Sequence, residues 1–308
     1  MLVLMGIFIS FSEYVPILGK VEAPFPDIEV MNAVINGPIA NIEKLDKEML
    51  LFNLQFLQNI DTSRERKRAV FMTIKGKRRF DEMDMSEIEK IGVFLKGITS
   101  YHLKTELDCN KVHIVSFLGR MKLRKKLLGV LAQCLKKEFG KQVYQSYRFI
   151  NKFLGIICGY GVEELEQIDE DNFILIEEEV FLNLDECNPH QLKALYEIAV
   201  KPTVYGIPQG WNKSVVRTIG TLLSITPLKD LLGMDYRAFT EINPKVLRVL
   251  SFEKLEVLKI HLRYFGLHSK NEIWRIVGIP SGSVASKGKV ELLIFKFMCL
   301  YYYLHFGI

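Results

Sequence analysis

Apolar residues recur along most of this chain at three- and four-residue steps, the spacing that gathers one face of an α-helix. Ile42, Leu45, Met49, Phe52, Phe56 and Ile60 form such a stripe and predict a helix from Ile39 to Ile60. Helical spacing returns in Leu192, Leu195, Ile198 and Ala199, and again in Leu255, Leu258, Ile260, Leu262 and Phe265. Polar punctuation bounds these segments. Ser86-Glu-Ile-Glu89 reads as a capping box, and Asn188-Pro189, Thr226-Pro227 and Asn243-Pro244 each put a capping side chain before a proline. Proline at the first helical position loses no hydrogen bond, because that N–H has no partner inside the helix. Gly97, Gly140, Gly159, Gly206, Gly266 and Gly278 read as left-handed residues that stop helices. Val70–Ile74 is strand-like in isolation, but no stretch sustains a strand alternation. The chain is predicted to be all-α, with helices of about 8–18 residues and tight turns.

The pattern also repeats. Ile88–Gly97, Phe149–Gly159 and Val215–Ser224 share one arrangement around the pivot glycines Gly92, Gly155 and Gly220, which lie 63 and 65 residues apart. Leu192 and Leu195 are matched 63 residues later by Leu255 and Leu258. A period of about 64 is roughly twice one helical-repeat unit, so each period holds two helix pairs. Stacked copies predict a right-handed helical superhelix, or solenoid. A glycine inside a helix is about 1 kcal/mol worse than alanine. Its recurrence at the three pivots predicts a neighbouring helix passing close to the backbone there. Residues 1–38, with four prolines, read as irregular or as a weak signal-like segment; 39–85 as a helix plus basic loop; 86–280 as the superhelix; 281–308 as a terminal segment.

Composition adds less. Apolar residues at 49% and charged residues at 25% exclude global disorder. The net charge of +5 is too small to argue for nucleic acid by itself, although cations cluster. Arg64, Arg66, Lys67, Arg68, Lys75, Lys77, Arg78 and Arg79 form one candidate basic patch, and Arg120 to Lys126 adds a second run. Solvated helix faces are the ordinary reading; a surface for acidic glycan, anionic lipid or nucleic acid is the functional one. Cys109, Cys134, Cys158, Cys187 and Cys299 show no zinc-ligand spacing. Cys134 and Cys158, on apolar faces, read as buried free thiols. A bridge among Cys109, Cys158 and Cys187 would belong to an exported protein.

No catalytic constellation assembles. The histidines include no HExxH pair, and there is no GxSxG elbow, phosphate loop or dinucleotide fingerprint. The runs Asp169–Asp171 and Glu177–Glu179 lack the ligand order of a calcium loop. The expectation is a protein without catalytic residues, metal, cofactor or small-molecule substrate. Two features point outward from the cell. Asn212-Lys-Ser214 is an N-glycosylation acceptor at a predicted helix start. Ser281, Gly282 and Ser283 precede a polar spacer and an apolar tail from Leu292 to Ile308, the order of a glycolipid-anchor signal.

The composite motif in Trp211-Asn-Lys-Ser-Val-Val-Arg-Thr-Ile-Gly220-Thr-Leu-Leu223, followed by Leu231, Asp235, Phe239, Ile242 and Pro244, resembles the mesothelin, otoancorin and stereocilin family, most closely its otoancorin branch. The likeness spans roughly residues 86–280. It implies an armadillo/HEAT-like superhelix on an extracellular surface, held by a glycolipid anchor. It also implies attachment of the cell to an overlying gel, extracellular matrix or mucin-like glycoproteins, with no catalytic residues to carry over. The competing expectation is an intracellular helical-repeat scaffold that binds peptide or nucleic acid through the basic clusters; the weak overall charge disfavours nucleic acid.

Overall fold

The computed structural model describes residues 26–264; the anchor-like residues Ser281, Gly282 and Ser283, together with Gly266, Gly278 and Cys299, lie outside them. The described chain is all-α, without a strand, and falls into two compact units. The first comprises residues up to 78 together with 82–98, and the second 79–81 with 99 onward.

In the first unit the helices are α1 (Ile28–Ile35), α2 (Ile39–Ile42), α3 (Lys47–Leu57), α4 (Arg64–Lys75) and α5 (Met85–Ile91). The prediction of irregular chain before residue 38 is corrected by α1, which Asp27 starts by accepting hydrogen bonds from the Glu29 and Val30 amides. The predicted helix from Ile39 to Ile60 is broken between Ile42 and Lys47, where Asp46 caps α3. Its buried face is also different. Leu50, Leu51, Leu54 and Leu57 enter the core, while Met49, Phe52 and Phe56 are exposed. α3 is apolar on two faces, so periodicity finds the helix without choosing the inner side. Val70–Ile74 lies within α4. The capping box before α5 is formed by Asp84 and Glu87, two residues earlier than Ser86 and Glu89.

The second unit contains α6 (Ser100–Thr105), α7 (Val112–Arg120), α8 (Lys125–Phe139), α9 (Gln142–Gln145), α10 (Tyr147–Phe153) and α11 (Val162–Leu165). It continues with α12 (Glu170–Ile174), α13 (Glu178–Phe181), α14 (Pro189–Ala199), α15 (Lys213–Ile219), α16 (Leu228–Gly233), α17 (Pro244–Leu247) and α18 (Phe252–Tyr264). Asn188 accepts from the Gln191 amide at 2.8 Å and Asn243 from the Lys245 amide at 3.0 Å, as their positions before proline predict. Thr226 behaves otherwise. Its buried hydroxyl donates back to the Leu222 carbonyl, and Pro227 occupies the cap position of α16.

The threefold repeat is visible as local structure. α5, α10 and α15 are each seven residues long. Each runs directly into a 3₁₀ helix: Gly92–Gly97, Leu154–Gly159 and Gly220–Ser224. The 3₁₀ segment of the first copy packs on α4 and that of the second on α8.

Candidate functional site

The pivot positions mark these junctions rather than the middle of a helix, which corrects the expectation for Gly92, Gly155 and Gly220. A switch from α to 3₁₀ winding here passes through a left-handed residue: Gly92 at φ 50°, Gly220 at φ 47° and, in the middle copy, Leu154 at φ 41°. Leucine rarely adopts that region because its Cβ crowds the following carbonyl. The second copy thus carries its turn one residue before Gly155. Glycine at 155 answers a different demand. A Cβ there would lie 2.8 Å from the Gly119 carbonyl oxygen of α7, and a Cβ on Gly119 would collide with the Phe153 carbonyl. The close crossing predicted at Gly155 is therefore present, glycine against glycine.

Gly97 and Gly159, read as left-handed stops, are corrected in the opposite sense. Neither has a positive φ. A side chain at Gly97 would strike the backbone at Lys67 and Arg68 of α4, and one at Gly159 would strike Leu128 of α8. Their missing Cβ permits the 3₁₀ segments to press on those helices.

Two disulfides cross the second unit. Cys109 is bonded to Cys134 and Cys158 to Cys187, with Cα separations of 6.1 and 4.6 Å. The free-thiol reading of Cys134 and Cys158 is overturned, because tertiary packing places each beside a partner 25 or 29 residues away. Around the second bridge lies a polar clamp that the sequence did not reveal. Buried Gln191 donates from Nε2 to the Cys158 and Tyr160 carbonyls, and its Oε1 accepts from the Asn188 amide at 2.9 Å and Lys125 Nζ at 2.8 Å. Glu186 accepts from the Lys125 amide at 3.0 Å, and Lys122 pairs with Asp185. The start of α8, the end of the second 3₁₀ segment and the start of α14 are thus joined covalently and by hydrogen bonds.

Half of the first basic cluster is drawn into the fold. Arg66 sends its guanidinium to the carbonyls of Ala33, Val34 and Gly37, at 3.1, 3.3 and 2.6 Å, satisfying the open end of α1. Lys67 pairs with Asp61, and buried Lys75 donates to the Arg78 carbonyl at 2.7 Å. Arg78 and Lys47 both bind Glu87. Burial pushes the Glu87 carboxyl up, but its bonds to Lys47 and Arg78 outweigh that and hold it below the ordinary carboxylate value. Arg79, which belongs to the other unit, pairs with Asp81. Arg64, Arg68 and Lys77 are exposed. A single continuous patch of eight free cations is not what this segment forms.

The acidic runs also serve helix starts. Asp169 caps α12 through the Asp171 and Asn172 amides, and Glu177 occupies the cap position of α13. Glu170 pairs with Lys201, and Glu178 with Arg217. Among the described residues no cluster of three or more His, Cys, Asp or Glu is arranged to hold a metal ion, and no described helix is long and apolar enough to cross a membrane.

Asn212 is exposed at the cap of α15, and its Oδ1 accepts from the Val215 amide at 3.1 Å. The amide nitrogen that accepts a glycan is the other atom of that group. The preceding Trp211 is buried and donates Nε1–H to the Gly206 carbonyl at 2.9 Å. No protein-family model matches the chain, and no curated protein matches it.

Proposed function

We propose that this chain is a non-enzymatic cell-surface adhesion protein. Its repeated helices would stack as an armadillo-like superhelix and attach the cell to extracellular matrix or mucin-like glycoproteins. The observation that carries this reading is the pair of disulfides, Cys109–Cys134 and Cys158–Cys187. Stable bridges belong to oxidising compartments, since cytosolic thiol pools keep cysteines reduced. The exposed acceptor at Asn212 supports the same compartment. The threefold module and the resemblance carried by Trp211–Leu223 support an extended binding surface over a catalytic cavity. A scaffold acting through the first basic cluster is disfavoured, because Arg66, Lys75 and Arg78 are engaged in the fold.

The test is cell fractionation of the full chain. Treatment of intact cells with a phosphatidylinositol-specific phospholipase should release the protein, and peptide-N-glycosidase should increase its gel mobility. A wholly cytosolic pool with alkylatable thiols at Cys109 and Cys187 would overturn the proposal.

A further inference from the structure

The second unit separates its charges along the chain. Residues 99–153 hold twelve Lys and Arg against three Asp and Glu, whereas residues 154–200 hold twelve Asp and Glu against one Lys. The two stretches meet through Lys122–Asp185, Lys136–Glu164 and the Glu186 bond to the start of α8. These contacts neutralise the side of the basic stretch that faces the acidic one. They leave a remainder. Lys104, Lys111, Arg120, Arg124, Lys126, Lys137, Lys141 and Lys152 are exposed and have no ion pair or side-chain hydrogen bond among the described residues.

Helix geometry orders part of that remainder. α8 buries Leu127, Leu128, Leu131, Ala132 and Leu135. With 3.6 residues per turn, the opposite face is centred on Lys126, Gln133 and Lys137. Lys126 and Lys137 are eleven residues apart, a rise of about 16 Å. Arg124 stands just before the helix and Lys141 just after it. The Cys109–Cys134 bridge ties the segment carrying Lys111 to the flank of the same face. The result is an exposed helix face with two lysines about 16 Å apart, flanked along the chain by Arg124 and Lys141, with Glu138 to one side.

We infer that the outward face of α8, from Arg124 to Lys141, binds a linear acidic polysaccharide of the sulfated or carboxylated kind. Cations spaced along one helix face and continued at both of its ends suit a polymer whose charges repeat along its length. Gln133, between the lysines, offers an amide to sugar hydroxyls. The centre of the face presents no aromatic ring for base stacking and no large apolar side chain to enter a bilayer. The choice of a glycan as the polyanion rests on the cell-surface reading above.

The test uses the full-length protein on immobilised heparin, eluted with salt. The triple variant K126Q/K137Q/K141Q is compared with R64Q/R68Q/K77Q, which removes the same charge from exposed positions of the first cluster. The α8 variant should bind heparin at least about tenfold more weakly at physiological salt, with a shallower salt dependence. The control variant should elute close to the unaltered protein. Equal losses in both variants would show that net charge alone is sensed and overturn the inference. Tighter binding to duplex DNA or to anionic phosphatidylserine vesicles than to heparin would overturn it as well. The cell-surface reading fails separately: a cytosolic protein that still binds heparin through α8 would refute the location and leave the charged face intact.

Discussion

The two units differ in how much of their positive charge the fold itself takes up. In the described part of the first unit, which contains no cysteine, several cations hold the fold together. Arg66 closes α1, and Lys47 and Arg78 converge on Glu87. In residues 99–155, a disulfide, the Gly119–Gly155 crossing and a buried leucine face do that work, and most cations remain outside. Density of Lys and Arg therefore says little about a binding surface. What matters is whether carbonyls and carboxylates of the same unit have already claimed the charges.

That contrast can be broken at its strongest point first. Replacing Cys158 and Cys187 by serine should destabilise the second unit by about 3–4 kcal/mol, the loop-closure contribution of a bridge spanning 29 residues. Urea unfolding followed by hydrogen exchange should place the loss in residues 99–264. An equal loss of protection in residues 26–98 would contradict the division of labour. Next, Gly155→Leu should lower stability by about 1–3 kcal/mol or more through overpacking against Gly119, read as a fall in thermal midpoint. An unchanged midpoint would mean that the crossing tolerates a side chain.

For the first unit, Arg66→Ala should cost about 1.5–3 kcal/mol, because three carbonyls lose a charged donor. Its heparin retention should not change. The acid limb supplies a finer probe. Glu87 is held below its ordinary value of 4.5, so its contribution is present above that pH and disappears as the pH falls through the lowered folded value. Glu87→Gln should flatten the stability profile of the first unit in that acid window while leaving the second unit's profile alone. Smallest of all is the expected stability effect of K126Q/K137Q/K141Q, within about 0.5 kcal/mol for exposed side chains. A larger loss would mean that these lysines belong to the fold after all.

The helical class was legible because its signals are local. The cap at Asn188-Pro189 needs only Gln191, three residues on, and the cap at Asn243-Pro244 needs only Lys245. Even so, Ser86 and Glu89 yielded to Asp84 and Glu87, since neighbouring registers offered equivalent chemistry. The repeat was legible as a period but not as a mechanism. Gly92 and Gly220 supply handedness as well as room for a neighbour, Gly97 and Gly159 supply proximity alone, and the sequence shows the same letter for both. Leu154 hid the turn of the middle copy altogether, because leucine carries no signal for a positive φ. The disulfide pairing and the role of Arg66 depend on partners roughly thirty residues away and had no local trace. The outer face of α8 was within reach: the wheel through Lys126, Gln133 and Lys137 can be drawn from sequence once the buried leucines are assigned.

Asn212 carries two duties on a single carboxamide. Its oxygen secures the first turn of α15, while the nitrogen beside it is where a sugar chain would be joined. Replacing the asparagine therefore erases a structural tether along with any oligosaccharide, and the two losses would be indistinguishable in a folding measurement. Ser214→Ala separates them: it abolishes the acceptor triplet at an exposed position and keeps the tether whole.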